Sequence, residues 1–142
     1  VRRLLGFGGL VTGRNAPARD ATGGRREAGR IGERLAARHL RRSGYRVIAR
    51  NVRALGGEAD LVALAPDGRT LVVVEVKARR GSGAALPPEV AITPKKRRVL
   101  RRVAEGLGRR PEHAGRGVRI DVITVVLDGT RAIELRHHQG AV

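Results

Sequence analysis

The run Leu71 to Val76 is the feature that most restricts how this chain folds. Five of its residues are apolar and the sixth, Glu75, is a carboxylate. A run this short and this apolar reads as a strand buried on both faces. A carboxylate inside such a strand is costly unless it is paired or bound to something. Lys77 follows two residues later, on the same face by strand alternation. Upstream, Gly57 to Ala65 forms a second apolar strand in which Glu58 and Asp60 share a face. Pro66-Asp67-Gly68 joins the two, with proline fixing φ and glycine tolerating positive φ. The hairpin gathers two or three carboxylates and one lysine, the equipment for holding a divalent cation and activating a water beside it.

The rest of the chain supplies layers for this hairpin. Residues 1–24 mix Gly, Arg, Ala and Pro without periodicity and read as a disordered basic tail. The apolar stretch Leu4–Val11 is broken by glycines and is not read as a signal peptide. Residues 25–142 read as one α/β domain. Arg25 to Ser43 is a helix with Ala28, Ile31, Leu35, Ala36 and Leu40 on one arc, ended by Gly44. Gly29 and Gly32 would let it approach a sheet closely. Glu33 lies at the edge of the apolar arc, where it either reaches a site on that sheet or pairs with Arg30 or Arg34. His39, inside the arc, reads as a satisfied core histidine.

Tyr45 to Asn51 is a first strand and Val52 to Gly57 a loop. Gly81 to Pro88 is either a lid over the site or a plain surface loop. Thr93-Pro94 starts a second long helix, an N-cap followed by proline at N1. Its buried stripe is Val99, Leu100, Val103, Ala104 and Leu107, and Lys96 points along it. Val118 to Leu127, carrying Asp121, and Arg131 to His137 form a last hairpin across Asp128-Gly129. His137-His138 has no third ligand nearby in sequence and reads as a strand terminus. The elements give α/β, a mixed central sheet of about five strands flanked by α-helices. Asp60, Glu75 and Lys77 are expected where the central strands diverge, facing the first helix.

Charge narrows the function. Thirty Lys and Arg oppose 13 Asp and Glu, a net +17 over 142 residues. Six Arg and one Asp fall in residues 1–26, so about +12 stays with the folded part. A basic body around an acidic pocket suits a polyanion with a cation at the reaction point. Phe7 and Tyr45 are the only aromatics, which disfavours single-strand binding by base stacking. Lys95, Lys96, Arg97 and Arg98 at the helix start, and Arg30 on the first helix, are candidate phosphate contacts; the bland alternative is a solvated basic face. The absence of cysteine fits a reducing cytoplasm, and no apolar run approaches the ~20 residues of a membrane span.

Asp60 followed after a hairpin by Glu75-Val76-Lys77 resembles the PD-(D/E)xK nuclease signature without its proline. Glu33 on a preceding helix resembles the extra acidic residue of the archaeal Holliday-junction-resolvase branch. The chain is more similar still to the bacterial UPF0102, or YraN-like, family. Gly29–Glu33, Gly44-Tyr45, Asn51–Arg53, Gly57–Leu61, Val74–Arg79, Lys96 with Leu100 and Ala104, and Arg119–Val122 all match that pattern. The likeness spans about residues 25 to 137. Ala59 stands where the family usually has isoleucine, and Ile120 where it has phenylalanine.

The resemblance implies a restriction-endonuclease-like fold more firmly than any reaction. It implies a metal-dependent nuclease acting on nucleic acid, DNA ahead of RNA, with structured or branched DNA among the expected substrates. Asp60, Glu75, the Val76 carbonyl and Glu33 would hold Mg²⁺ or Mn²⁺, and Lys77 would orient or deprotonate the attacking water. Glu58 would support them or pair with an arginine. A homodimer is the form that symmetrical cutting would require. The alternative is a nucleic-acid-binding protein of the same fold that does not cut.

Overall fold

The computed structural model describes residues 21–142. The expected tail over residues 1–20 lies outside them. Helix α1 (Ala21–Arg42) begins four residues before the expected start. It ends as predicted at Gly44, whose φ is +87°. The Tyr45 N–H donates to Leu40 O at 2.9 Å and the Gly44 N–H to Arg41 O at 3.2 Å, so the last carbonyls of the helix are satisfied.

Strands β1 (Arg46–Ala54), β2 (Gly57–Leu64), β3 (Thr70–Arg80), β4 (Gly117–Asp128) and β5 (Arg131–His138) make one sheet in sequential order. Only β3 and β4 are parallel; the other neighbours are antiparallel. The short helix α2 (Pro88–Ala91) and the long helix α3 (Pro94–Gly108) fill the β3–β4 connection, followed by a 3₁₀ turn at Pro111–His113. The α/β class, with a mixed five-stranded sheet flanked by helices, is therefore the one expected. No helix among the described residues is long and apolar enough to cross a membrane.

Two local expectations change. The predicted loop after Asn51 is mostly strand, because β1 pairs with β2 as far as Ala54 opposite Gly57. The register of this pair shifts between Val47 and Ala49, and Asn51 and Leu55 take positive φ. Of the two helix glycines, only Gly32 sits at a close approach: a Cβ there would overlap the Ala78 side chain, whereas Gly29 faces open space.

The core has two halves, one on each face of the sheet. Val72, Val74 and Val76 point to α1, with Ile31, Ala36, Leu40 and Ile123. Leu71 and Val73 point to α3, with Leu100, Val103, Leu107 and Val122. Residues Leu71 to Val76 are all buried, as a strand covered on both faces must be. Burying that much branched aliphatic surface stabilises by about 25 cal/mol per Å² removed from water, so the centre of β3 anchors the sheet.

Candidate active site

The site lies where β2 and β3 part. Their ladder runs from Leu64 opposite Leu71 to Leu61 opposite Val74 and stops there. Asp60 and Glu75 are the next residues on each strand. With the ladder ended, the Val76 N–H donates instead to Asp60 Oδ2, at 2.7 Å. The aspartate thus caps the splayed strand and is fixed in place by its own hairpin.

Glu75 is 3% exposed although its strand neighbours are valines. Two lysines approach it. Lys77 Nζ lies 3.0 Å from Oε1 and Lys96 Nζ 3.3 Å from Oε2. Lys96 also donates to the Glu58 carbonyl oxygen at 3.4 Å. The Lys96–Oε2 contact has the distance of an ion pair but not the geometry of a hydrogen bond, so Oε2 is buried with no hydrogen-bond partner among the described residues. That orphaned oxygen is what an incoming cation would engage.

The helices deliver the remaining groups. Thr93 caps α3 as predicted, its hydroxyl oxygen accepting the Lys96 N–H at 3.2 Å. The cap fixes the first turn, and Lys96 then reaches inward to the sheet. Sequence reasoning took Lys96 for a phosphate contact; the structure brings it onto Glu75. The orientation of the site also differs from expectation. Glu75 and Lys77 share the α3 face with Leu71 and Val73, because odd-numbered residues of β3 point that way, and do not face α1.

Glu33 stands on α1, partly buried. Burial raises its pKa first, and Glu58 and then Glu75 add to this while Arg50 opposes it. The arginine it feels is Arg50, not Arg30 or Arg34. Asp60 is affected more strongly. Burial, followed by the charge of Glu75, pushes its carboxyl up to about 7, against the Val76 hydrogen bond; Glu33 adds to the rise and Lys96 subtracts. Glu58 turns outward and pairs with Arg53 Nε at 3.3 Å, one of the two roles foreseen for it.

A full three-carboxylate cage is not assembled: among the described residues no three His, Cys, Asp or Glu side chains gather closely enough to hold a metal ion. What is assembled is a two-carboxylate set, Asp60 and Glu75, with the strand backbone at Val76 between them. The donors are all oxygen, which suits Mg²⁺ or Mn²⁺. Around this set, Lys95 and Arg98 are exposed and line an open basic groove with Arg101 and Arg102. Arg30 is exposed on α1. Arg97 is otherwise engaged, donating to Ala141 O at 3.1 Å and to Pro88 O at 3.2 Å.

The model of the family described as "Uncharacterised protein family UPF0102" matches residues 32–125. That span holds Glu33, Asp60, Glu75, Lys77 and Lys96. The chain belongs to the UPF0102 family. A UPF0102 protein of Pelobacter propionicus is 41% identical over 122 residues, covering 84% of this chain and 86% of the relative. One from Mycolicibacterium vanbaalenii is 44% identical over 123 residues, covering 84% and 96%. One from Mycobacterium avium is 42% identical over 114 residues, covering 80% and 88%. Among solved structures, the crystal structure of a repair endonuclease from Pyrococcus abyssi aligns with a TM-score of 0.45 at 20% identity. The alignment covers 73% of this chain and 40% of that one, so this chain spans well under half of that protein's length.

A second polar cluster escaped sequence reasoning. Asp121 is fully buried and accepts from Arg119 Nε at 2.8 Å, Arg119 Nη2 at 2.9 Å, His137 Nε2 at 2.7 Å and the Gly140 N–H at 3.0 Å. Arg119 Nη2 also donates to the Tyr45 hydroxyl at 2.8 Å. His39 Nε2 lies 3.3 Å from His137 Nδ1, so this histidine is satisfied as expected, although it is half-buried and not in the core. His137 lies at the end of β5, the strand terminus expected, and is also a member of this network. The available signal was Asp121 in a buried apolar strand with Arg119 two residues before it, on the same face.

Proposed function

We propose that this protein is a metal-dependent phosphodiesterase acting on nucleic acid. The observation that carries the reading is the convergence of Asp60 with Glu75, Lys77 and Lys96 at the splayed end of β2 and β3, where Glu75 Oε2 is buried without a hydrogen bond among the described residues. An ion pair built only for stability has no need of a second carboxylate pressed against the first.

In this reading Asp60, Glu75 and the Val76 carbonyl hold Mg²⁺ or Mn²⁺, and Glu33 acts on the same ion at one remove. The ion supplies positive charge for the phosphoryl oxygens and eases deprotonation of a water. Lys77 is anchored on Glu75 and its side chain is 43% exposed, so it can meet solvent and substrate together. It orients the attacking water and steadies the charge that develops on the phosphoryl group. Lys96 holds Glu75 in position from the other side. Lys95, Arg98, Arg101 and Arg102, with Arg30 across the site, bind the flanking phosphates, and Arg97 braces α3. The net charge favours a long polyanion over a small phosphate ester. DNA is the substrate preferred, structured or branched DNA included, and a cytoplasmic setting and a homodimer belong to the same reading.

The rival is a nucleic-acid-binding protein that does not cut. The specific observation in its favour is that two lysines already neutralise Glu75. End-labelled linear and branched DNA incubated with Mg²⁺ or Mn²⁺ decides between them. The wild type should cleave at least one substrate. Glu75→Gln should abolish cleavage and leave binding intact or tighter, since it removes a negative charge facing the phosphate. Binding by both proteins with cleavage by neither favours the rival.

A further inference from the structure

Beside Lys77 the sheet carries a cleft of about 190 Å³ that the proposed chemistry does not use. Its floor is Thr124 on β4, and Arg79 borders it two residues beyond Lys77 on β3. Ala85, Leu86 and Ala91 line it from the β3–α2 connection. Two residues along a strand span about 7 Å, so the cleft lies within one nucleotide's reach of Lys77.

Three features describe what fits. The lining is mainly apolar, and Leu86 at its rim is 45% exposed. Arg79 Nε is buried with no hydrogen-bond partner among the described residues, a donor in want of an acceptor. The cleft is preformed. Arg79 donates to Ser82 O and Ala84 O, and the Ala85 N–H donates to Glu134 Oε2 at 2.8 Å. The connection that sequence reasoning left open as a lid or a plain loop is thus tied to β3 and β5. A flat ligand with apolar faces and a ring-nitrogen or carbonyl acceptor on its edge, held next to a phosphate site, is a nucleobase.

We infer that this cleft receives an unpaired base adjacent to the scissile phosphate, so that the substrate is nucleic acid with an extruded or unpaired nucleotide, not continuous duplex. The inference rests on the phosphodiesterase reading for its neighbouring phosphate. A base leaving a stack costs a few kcal/mol, least where it has no partner, and the cleft repays part of that through apolar contact and one hydrogen bond to Arg79. Selectivity follows from the structure of the substrate, without base-stacking aromatics.

The test uses the full chain in EDTA, so that binding is read without cleavage. Two fluorescent DNA duplexes of equal length are compared, one fully paired and one with a single unpaired 2-aminopurine. The wild type should bind the unpaired duplex about 10-fold more tightly, with a change in 2-aminopurine emission. Ala91→Leu, which fills the cleft, should bring the ratio of affinities close to one. Leu86→Asp, at an exposed position tolerant of charge, should do the same if Ala91→Leu fails to fold. Equal affinities for the two duplexes in the wild type, or a preference that survives both substitutions, would overturn the cleft and leave the phosphodiesterase reading standing. Binding to neither duplex would overturn both.

Discussion

Asp60 and Asp121 are the same residue on strands of the same sheet, and the structure treats them in opposite ways. Asp121 is surrounded by donors: a bidentate arginine, a histidine and a backbone N–H. Burial alone would raise its pKa, but the His137 and Arg119 hydrogen bonds and the Gly140 N–H outweigh burial and lower it. Arg119 is raised in return, chiefly by its hydrogen bond to Asp121. Asp60 has one backbone donor and a carboxylate neighbour, and its carboxyl is pushed up to about 7. One cluster closes its own electrostatic account within the chain. In the other, both lysines pair with Glu75, and Asp60, at the spot where two strands open, keeps a backbone N–H as its hydrogen-bond donor. A satisfied cluster reads as scaffold, and an unsatisfied one as a place that waits for a cation.

The largest expected effect tests the scaffold side. Asp121→Asn leaves Arg119 and His137 facing a neutral group and should cost roughly 3–5 kcal/mol, the range for breaking a buried pair. Urea unfolding at pH 7 measures it. A loss below about 1 kcal/mol would remove the contrast between the two aspartates.

The matching change on the other side should have the opposite sign. Asp60→Asn keeps an acceptor for the Val76 N–H and removes repulsion from Glu75. Above its folded value, each pH unit by which folding raises an acid's pKa costs about 1.4 kcal/mol. The variant should therefore be more stable than wild type at pH 8 in EDTA, by roughly 2–4 kcal/mol. The pH window follows from the direction. A raised acid gives its full contribution below its unfolded value near 3.8 and loses it as the pH rises through about 7. Asp121, being lowered, contributes fully above its unfolded value and loses that contribution as the pH falls. Stability curves of wild type and Asp60→Asn should converge near pH 4 and separate towards pH 8; parallel curves would refute the assignment.

Metal provides a third measure. Mg²⁺ at a hundred times its Kd should stabilise the wild type by about 2.7 kcal/mol. The midpoint should rise for wild type and stay put for Asp60→Asn. An equal rise in both would move the ion elsewhere.

The smallest effect concerns the surface around each cluster. Lys95→Ala with Arg98→Ala should flatten the log–log salt dependence of DNA binding by about 1.8, two contacts at ~0.9 each. Arg38→Ala with Arg42→Ala, beside His39 on the scaffold side, should leave it unchanged. The reverse result would put the nucleic acid on the other face of the molecule.

Local pattern made much of this legible. The β2–β3 hairpin, the Gly44 stop, the Thr93-Pro94 start and the β4–β5 hairpin each depend on residues within a few positions of one another. The pairing of Glu75 with Lys77 also follows from alternation alone. The contact of Lys96 with Glu75 is not legible locally, because its partner lies across the whole β3–α3 connection. His137 was discounted for want of a nearby ligand, although Asp121 meets it across the β4–β5 hairpin and His39 from 98 residues away.

The sequence by itself determined the elements, their buried faces and the inventory of charges, because strand and helix periods repeat over two to four residues. Tertiary structure decided which charges distant in sequence meet, as Lys96 does Glu75 and His137 does Asp121. Parallel pairing of β3 with β4 and packing of α1 and α3 on opposite faces bring distant residues together cooperatively. Whether a buried aspartate ends up neutralised like Asp121 or strained like Asp60 depends on the sum of those neighbours. No short stretch of chain carries that sum, since an electrostatic field reaches across several strands and a side-chain period does not.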